Sequence, residues 1–234
     1  MPKIISICQP HFLPWIGYFK MISKSSKLIF LDNVQYNRRS WQNRVHIRSG
    51  PNINEKKFLS LHVKDNSRQN KINEIYLKEE NKKNFLNNLK HTYGKCPYFN
   101  EYFELLKNIF FQNIDKNLAD FNIIFIKEIC NILNIQFNYD LSSKYNFRQK
   151  KEFLILEIIN HFNADIYLSN LGSKNYVKDD FFTKNNVKVV FNEFEHPVYS
   201  QNLKNNNFFL KNLSIIDLLF NVKNPKKFFE KKTQ

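Results

Sequence analysis

Residues able to do acid–base chemistry stand near the N-terminus, directly after an apolar run. Residues 9–19 read QPHFLPWIGYF and place a carboxamide and an imidazole at the start of a predicted helix. An imidazole exchanges protons near neutral pH, and free N–H groups at a helix start bind phosphate or carboxylate. Gln9 and His11 are therefore candidate catalytic residues, and Trp15 and Tyr18 are candidate binding residues. The alternative is an aromatic packing corner in which His11 is only hydrogen-bonded.

A second segment, residues 30–44, combines a carboxylate with arginines, amides and a tryptophan. Asp32 follows a predicted strand and is a further catalytic candidate, although carboxylates at strand ends often only cap the next turn. Arginine forks bind phosphates or carboxylates in a bidentate manner, and an aromatic face packs on a sugar ring. The candidate binding residues here are Arg38, Arg39, Trp41, Asn43 and Arg44.

Two later segments have the composition of ligand-binding loops. Residues 168–176 (LSNLGSKNY) form a polar turn between a predicted strand and helix, whose backbone amides can hold an anion. Residues 194–201 (FEHPVYSQ) contain a His-Pro step that favours an extended loop. The candidate binding residues in these segments are Ser169, Gly172, Tyr176, His196, Tyr199 and Gln201.

Several familiar catalytic motifs are missing from the sequence. The histidines show no HxxH or HExxH spacing and the three cysteines no CxxC spacing, so we expect no metal site and no disulfide framework. The absence of GxSxG, P-loop and GxGxxG motifs argues against serine hydrolases, Walker NTPases and standard Rossmann dehydrogenases. Cys8 is conceivable as a nucleophile, but a buried cysteine usually only packs. We expect no cofactor.

The net charge of +15 invites a nucleic-acid interpretation. Lysine, asparagine, isoleucine and phenylalanine have A/T-rich codons, so a low-GC genome gives such a balance to almost any protein. Without an RRM, KH or helix-turn-helix signature, specific nucleic-acid binding is not expected, except for a tRNA that serves as a donor. Four of the six arginines, however, lie within residues 38–48. This cluster indicates a need for planar, bidentate donors, unless it is a chance group of surface arginines.

The apolar patterns predict an α/β fold with a parallel sheet. A strand over Lys3–Cys8, a helix over Trp15–Ser25 and a strand over Lys27–Leu31 indicate a βαβ unit, whose ligand site lies beyond the strand ends. Asn43–Arg48 and Lys57–Val63 predict a hairpin. The later predictions are helical stripes across 79–133, a helix over 151–162, strands over 164–168 and 187–191 that are parallel if 176–183 is helical, and a helix over 207–221.

The length of 234 residues fits one α/β domain, 1–234, in which residues 79–133 form a helical insertion or subdomain. No apolar run approaches the ~18 to 20 residues that span a bilayer, and no signal peptide is evident. We therefore expect a cytoplasmic protein without a membrane span.

The motifs together resemble the WbqC-like family of bacterial proteins, whose pattern QPxFLPWxGYF is followed by a strand and LDxVQYxRRSWQNR. Residues 9–19 and 31–44 match this pattern at nearly every position. The serine-and-glycine turn ahead of Tyr176, the segment HPVYSQ at 196–201 and the segment SIIDLLFN at 214–221 are similar to later family features. The resemblance covers almost the full chain and implies an association with gene clusters for O-antigen and other surface polysaccharides.

Such clusters contain acyl and aminoacyl transferases that modify nucleotide-linked amino sugars. The resemblance therefore implies a transferase acting at the nitrogen of such a sugar or glycan precursor, with a carrier protein, coenzyme A or aminoacyl-tRNA as donor. In this interpretation His11 is the base, Gln9 or Asn43 polarises the acyl carbonyl, the arginines hold the diphosphate or a donor carboxylate, and Trp41 or Trp15 stacks on a ring.

Two alternatives remain open. The first motif is also similar to the HxGH opening of nucleotidyltransferases, which implies a nucleotidyltransferase-like or Rossmann-like core. Tyr18 stands where such enzymes have their second histidine. The other alternative is a non-catalytic protein that binds a nucleotide sugar or glycan for a pathway enzyme.

Overall fold

The computed structural model describes residues 2–50, 54–64, 69–170, 172, 179–201 and 209–230. Its centre is a five-stranded sheet in which every neighbouring pair is parallel. A separate antiparallel hairpin is formed by β3 and β4. The strands are β1 (Ile4–Cys8), β2 (Lys27–Phe30), β3 (Arg44–Arg48), β4 (Lys56–Ser60), β5 (Tyr139–Leu141), β6 (Ile166–Asn170) and β7 (Lys188–Asn192).

Helices cover both faces of this sheet. They are α1 (Ile16–Lys24), α2 (Asn81–Tyr93), α3 (Phe99–Asn113), α4 (Leu118–Ile132), α5 (Lys151–His161), α6 (Asp179–Lys184) and α7 (Ile215–Asn221). Ile5 and Ile7 of β1 pack with residues of α5 and α6 on one face. The larger core lies on the other face, where α1, the three helices α2–α4, α7 and the hairpin pack together.

The strand order fixes where a ligand site is expected. The order is β5-β2-β1-β6-β7, so the chain extends from β1 in one direction and later returns to the other side of β1. In open α/β sheets, ligands bind outside the carboxyl ends of the strands where this reversal occurs. The loop after β1 begins at Gln9, so this candidate catalytic residue lies at that position.

The predicted α/β class with a parallel sheet is confirmed, with two differences in its elements. Strand β5 was not predicted, because this three-residue edge strand consists of partly or largely exposed residues that give no apolar run. The last helix was predicted over 207–221 but begins at Ile215, because the Ser214 side chain caps it by accepting from the Ile216 N–H. Residues 209–214 are not helical, and 202–208 lie outside the described residues.

The region predicted as a helical insertion contains α2, α3 and α4. Its status as a subdomain, and the single domain 1–234, stay predictions. Across the part of the chain described, we find no helix with the length and apolar character needed to cross a membrane.

Candidate functional site

The loop after β1, residues 9–14, is held by hydrogen bonds from two buried side chains, Tyr18 and Ser214. The Tyr18 hydroxyl donates to the Gln9 carbonyl at 3.0 Å and lies 2.9 Å from Cys8 Sγ. Leu13 has a φ of 40°, a left-handed conformation that is strained for leucine, and its carbonyl accepts from Ser214 Oγ at 2.7 Å. Tyr18, a predicted binding residue, is fully buried, so this geometry supports a role in positioning the loop.

The side chain of Gln9 is oriented by a buried glutamine that the sequence analysis did not single out. The Asn37 backbone N–H donates to Gln42 Oε1 at 3.0 Å, and Gln42 Nε2 donates to Gln9 Oε1 at 2.9 Å. Because a backbone N–H can only donate, it fixes which way each amide points. Gln9 Nε2 is left as a donor without a hydrogen-bond partner among the described residues.

The loop after β1 and the segment around Gln42 form one unit. Asn122 of α4 is fully buried, and its Nδ2 donates to the Pro10 carbonyl at 3.0 Å and to the Gln42 carbonyl at 2.8 Å. The Phe12 N–H donates to the Trp41 carbonyl at 2.9 Å. The helical region therefore supports the candidate site through Asn122, a contact between distant parts of the sequence that no local pattern reveals.

His11 lies beside the loop with its ring 5.3 Å from that of Tyr18. Its ring nitrogens have no hydrogen-bond partner within the described part of the chain. Burial lowers the pKa of His11 to about 4, because the protein around the ring replaces the water that would stabilise the charged imidazole. His11 is therefore neutral at physiological pH. Part of the side-chain surface is nevertheless accessible.

Cys8 is a protonated thiol at the end of β1. Burial raises its pKa to about 12, and the hydrogen bond with Tyr18 opposes this rise only in part. Since the thiolate is the nucleophilic form, the environment of Cys8 favours the packing role.

Trp15 packs against the first turn of α1. A Cβ atom at Gly17 would lie 2.2 Å from Cη2 of the Trp15 indole, so only glycine fits beneath the ring. The indole also meets Phe194 edge-on, with ring centroids 5.3 Å apart. Trp15 therefore connects the start of α1 to the segment after β7, and it is partly buried there.

Asp32, the third catalytic candidate, ties two strand ends together. It is buried, and its Oδ1 accepts from Ser142 Oγ at 3.1 Å and from the Ser143 N–H at 3.0 Å. These residues directly follow β5. The geometry supports the capping role that was the alternative for Asp32, and its catalytic role stays a prediction.

The arginine-rich segment is accessible. Arg38 and Arg39 are exposed, and Arg39 has a φ of 56°. Trp41 is 46% exposed, and the Arg44 guanidinium lies 3.9 Å from the centre of the Phe58 ring. Asn43 differs from these residues, because its Nδ2 donates to the Leu61 carbonyl at 3.0 Å and joins the two sides of the hairpin.

The carboxyl end of β6, which includes Ser169, lies at the same edge of the sheet as Gln9. Ser169 is buried, and its Oγ donates to the Tyr167 hydroxyl at 3.1 Å. Gly172 is exposed. Tyr176, the remaining candidate of this segment, lies outside the described residues.

The segment after β7 contributes to a buried ionic network that the sequence analysis did not find. The Tyr199 hydroxyl and Gln201 Nε2 each donate to Asp217 Oδ2 at 2.9 Å. Arg48 Nε lies 3.1 Å from Asp217 Oδ1, a close contact of opposite charges without hydrogen-bond alignment. Burial raises the pKa of Asp217, and the Arg48 guanidinium opposes that rise. These contacts support a structural role for Tyr199 and Gln201.

His196 is partly buried next to this network. Its Nδ1 lies 3.0 Å from the Pro197 carbonyl, and its ring stands edge-on to Phe209. Burial is the main cause that lowers the pKa of His196, and the nearby cations of Lys211 and Lys56 add to it. No group of three or more histidine, cysteine, aspartate or glutamate side chains able to hold a metal occurs among the residues described.

The strand order defines an α/β protein. Its candidate ligand site lies at the carboxyl end of the central strand, where the loop after β1 contacts the segment around Gln42. A model of the WbqC-like protein family matches residues 9–227, so the chain belongs to this family. An uncharacterized protein of Mycobacterium tuberculosis (strain ATCC 25618 / H37Rv), Rv1507c, is 26% identical over 222 residues, which cover 94% of each chain. No solved structure matches the chain.

Proposed function

We propose that the protein is a transferase that moves an acyl or aminoacyl group to the nitrogen of a nucleotide-linked amino sugar in surface-polysaccharide synthesis. The observation that carries this proposal is the fixed, unpartnered Nε2 of Gln9 on the same short loop as neutral His11. Acyl transfer needs a donor for the developing oxyanion and an acceptor for the proton of the attacking group. Gln9 and His11 supply these two functions.

In the proposed reaction the sugar nitrogen attacks the acyl carbonyl carbon, and a C–N bond forms. Gln9 Nε2 donates to the oxyanion, while His11 accepts the proton that the nitrogen loses. The bond from the carbonyl carbon to the oxygen or sulfur of the donor then breaks, and His11 returns the proton to that leaving atom. The lowered pKa keeps His11 in the neutral form that can accept a proton at physiological pH, and the nitrogen is more acidic after it has attacked than before.

The geometry favours Gln9 over Asn43 as the oxyanion donor. One of the two N–H groups of Asn43 Nδ2 is bound to the Leu61 carbonyl, which holds this amide in the hairpin, whereas neither N–H of Gln9 Nε2 has a partner among the described residues. Arg38, Arg39 and Trp41 are accessible on the neighbouring segment, where they can hold a diphosphate and a ring.

The nucleotidyltransferase-like alternative draws support from the strand order, which is that of doubly wound sheets that bind nucleotides. Against it, the position of their second histidine is occupied by Tyr18, whose hydroxyl is engaged beneath the loop. The non-catalytic alternative predicts ligand binding without turnover.

A thermal-shift screen tests the substrate class first. The panel contains nucleotide-linked amino sugars, coenzyme A derivatives and nucleoside triphosphates with Mg²⁺. A ligand at 100 times its Kd stabilises the native state by about 2.7 kcal/mol. Stabilisation by an amino-sugar nucleotide that Arg38→Ala abolishes supports the proposal. Stabilisation by triphosphate with Mg²⁺ alone favours the nucleotidyltransferase, and a panel without any effect contradicts both.

A second experiment tests the roles of the two residues with the ligand thus identified. Gln9→Glu keeps the acceptor for Gln42 but replaces the free donor by a carboxylate oxygen, so we expect kcat to fall by about 10²- to 10³-fold. His11→Asn should lower kcat by about 10²- to 10⁴-fold. The control Gln112→Glu makes the same chemical change at an exposed position of α3 and should leave kcat unchanged.

The pH dependence of the free energy of unfolding tests whether His11 is buried enough to have a lowered pKa. Because burial lowers its pKa from 6.5 to about 4, the unfolded chain binds more protons between these values. The free energy of unfolding therefore falls as the pH drops from 6.5 to 4, and His11→Asn should lack this part of the fall. The free energy of unfolding is measured by urea denaturation at each pH. If it falls equally with pH in the wild-type protein and in His11→Asn, the pKa of His11 is not lowered by folding.

A further inference from the structure

The outward face of the β3–β4 hairpin carries aromatic and cationic side chains. Alternate residues of a strand share one face, so Arg44 and His46 of β3 lie opposite the buried Val45 and Ile47. His46 pairs with Phe58 across the strands, and Lys56 lies on the same face of β4. Trp41 joins this group from the segment before β3. We call these five residues the hairpin platform: Trp41, Arg44, His46, Lys56 and Phe58.

The rings of the hairpin platform are contiguous and accessible. The Trp41 and His46 centroids are 5.2 Å apart, and those of His46 and Phe58 are 4.2 Å apart. Trp41 is 46% exposed and Phe58 is 42% exposed. Exposed apolar residues that stand alone are normal on a surface, whereas contiguous ones mark binding sites.

The hairpin platform is also positively charged. The Arg44 guanidinium lies over the Phe58 ring, and neither Arg44 nor Lys56 forms an ion pair with a described acidic residue. Both cations help to lower the pKa of His46, after burial as the main cause. A codon bias explains the general excess of lysine but not an arginine that lies on an exposed ring.

Contiguous rings between cations are the features with which proteins bind single-stranded nucleic acid, because bases stack on the rings and phosphates pair with the cations. A lone nucleotide needs only one ring, whereas the platform exposes two. We propose that the hairpin platform binds a short single-stranded RNA segment that carries the acyl group as donor.

The position of the platform connects this inference with the proposed function, on which the donor role rests. Trp41 directly precedes Gln42, which orients Gln9. The Trp41 carbonyl also accepts from the Phe12 N–H of the loop after β1. An RNA end held at Trp41 would therefore be next to that loop. In the transfer, the ester bond between the acyl carbon and a terminal ribose oxygen breaks as the C–N bond forms. The proton lost by nitrogen passes through His11 to the ribose oxygen.

Fluorescence anisotropy with a labelled single-stranded RNA of about ten nucleotides tests the binding, a length within the usual range for one small domain. Trp41→Ala and Phe58→Ala should each weaken binding by about 5- to 150-fold. Arg44→Gln should reduce the slope of log Kd against log salt by about 0.7. Circular dichroism verifies that each variant is folded, which is expected because both aromatic side chains are exposed.

Phe111 provides a matched control. It is 39% exposed on α3, and Lys82 Nζ lies 5.7 Å from its ring centre, so it combines a ring and a cation outside the hairpin. Phe111→Ala should leave RNA binding unchanged. An equal loss in Phe111→Ala, or RNA binding no tighter than that of a mononucleotide or of double-stranded RNA, would overturn the proposal.

Binding and transfer can fail separately. RNA binding that depends on the hairpin platform, together with no transfer to any amino sugar, would retain the RNA site and overturn the proposed function. Transfer from a coenzyme A thioester that is unaffected by Phe58→Ala, in a protein that does not bind RNA, would retain the transferase and overturn the RNA donor.

Discussion

Arg44 and Arg48 lie on the same face of β3, yet they occupy opposite environments. Arg48 is 1% exposed, with Nη1 donating to the Gln201 carbonyl at 2.6 Å and Nη2 to Cys96 Sγ at 2.9 Å. Asp217 of α7 lies beside its Nε. Arg44 lies on an exposed phenylalanine ring and has no ion pair among the described residues.

The difference arises from what covers each end of the strand. The Ser214 N–H, at the start of α7, donates to the His46 carbonyl at 2.8 Å, and α7 then places Asp217 against Arg48. At the other end of the strand no described carboxylate meets Arg44, which is only partly buried and packs on the Phe58 ring. One strand thus uses one arginine to anchor the hairpin to α7, whereas the other lies over the Phe58 ring on the hairpin platform. A cluster of arginines in a sequence can therefore combine two unrelated functions.

The largest expected change in stability follows from substitution of the buried arginine. Arg48→Met leaves the Asp217 carboxylate buried without its counter-charge, so the free energy of unfolding should fall by about 3 to 5 kcal/mol in urea denaturation. Arg44→Met, the matched change at the partly buried end of the strand, removes only a cation–π contact and should lower it by no more than about 1 kcal/mol. Similar losses in the two variants would remove the distinction between them.

A double substitution separates the pair from the shape of the side chain. Arg48→Met combined with Asp217→Leu removes both charges, and the stability should recover most of the loss, because apolar residues can replace a buried ion pair. A double variant as unstable as Arg48→Met alone would show that packing around Arg48, and not the unpaired carboxylate, causes the loss.

A smaller effect is expected from one hydrogen bond within the same network. Tyr199→Phe removes the hydroxyl that donates to Asp217 Oδ2, so unfolding should cost about 1 to 2 kcal/mol less. Tyr145 provides the comparison, because its hydroxyl donates to Asp140 Oδ2 at 2.7 Å in a more accessible place. Tyr145→Phe should lower the free energy of unfolding by less than Tyr199→Phe does. The reverse order in urea denaturation would contradict the importance of burial.

The contrast also shows what the sequence could predict. Apolar runs and the prolines at 10 and 14 indicated β1, the loop and α1, and the parallel sheet followed from them. Asn122 and Asp217 were missed because they act on residues 112 and 169 positions away, between which no local pattern exists. Arg44 and Arg48 could not be told apart, since both alternate with apolar residues in β3 and only the distant α7 separates their roles.

The smallest expected effect tests the accessible end of the comparison. Burial, Lys56 and Arg44 lower the pKa of His46, in this order of importance. Arg44→Gln removes one cation, so the protonated imidazole becomes less unfavourable and the pKa of His46 should rise toward its ordinary value of 6.5. An NMR titration of the His46 ring measures this rise, which should shrink as salt screens the charge.

Lys82→Gln, a change of charge on α2, should not move the pKa of His46. An unchanged His46 pKa in Arg44→Gln would mean that the Arg44 charge is not felt on the hairpin platform, and the case for anion binding there would lose its electrostatic part.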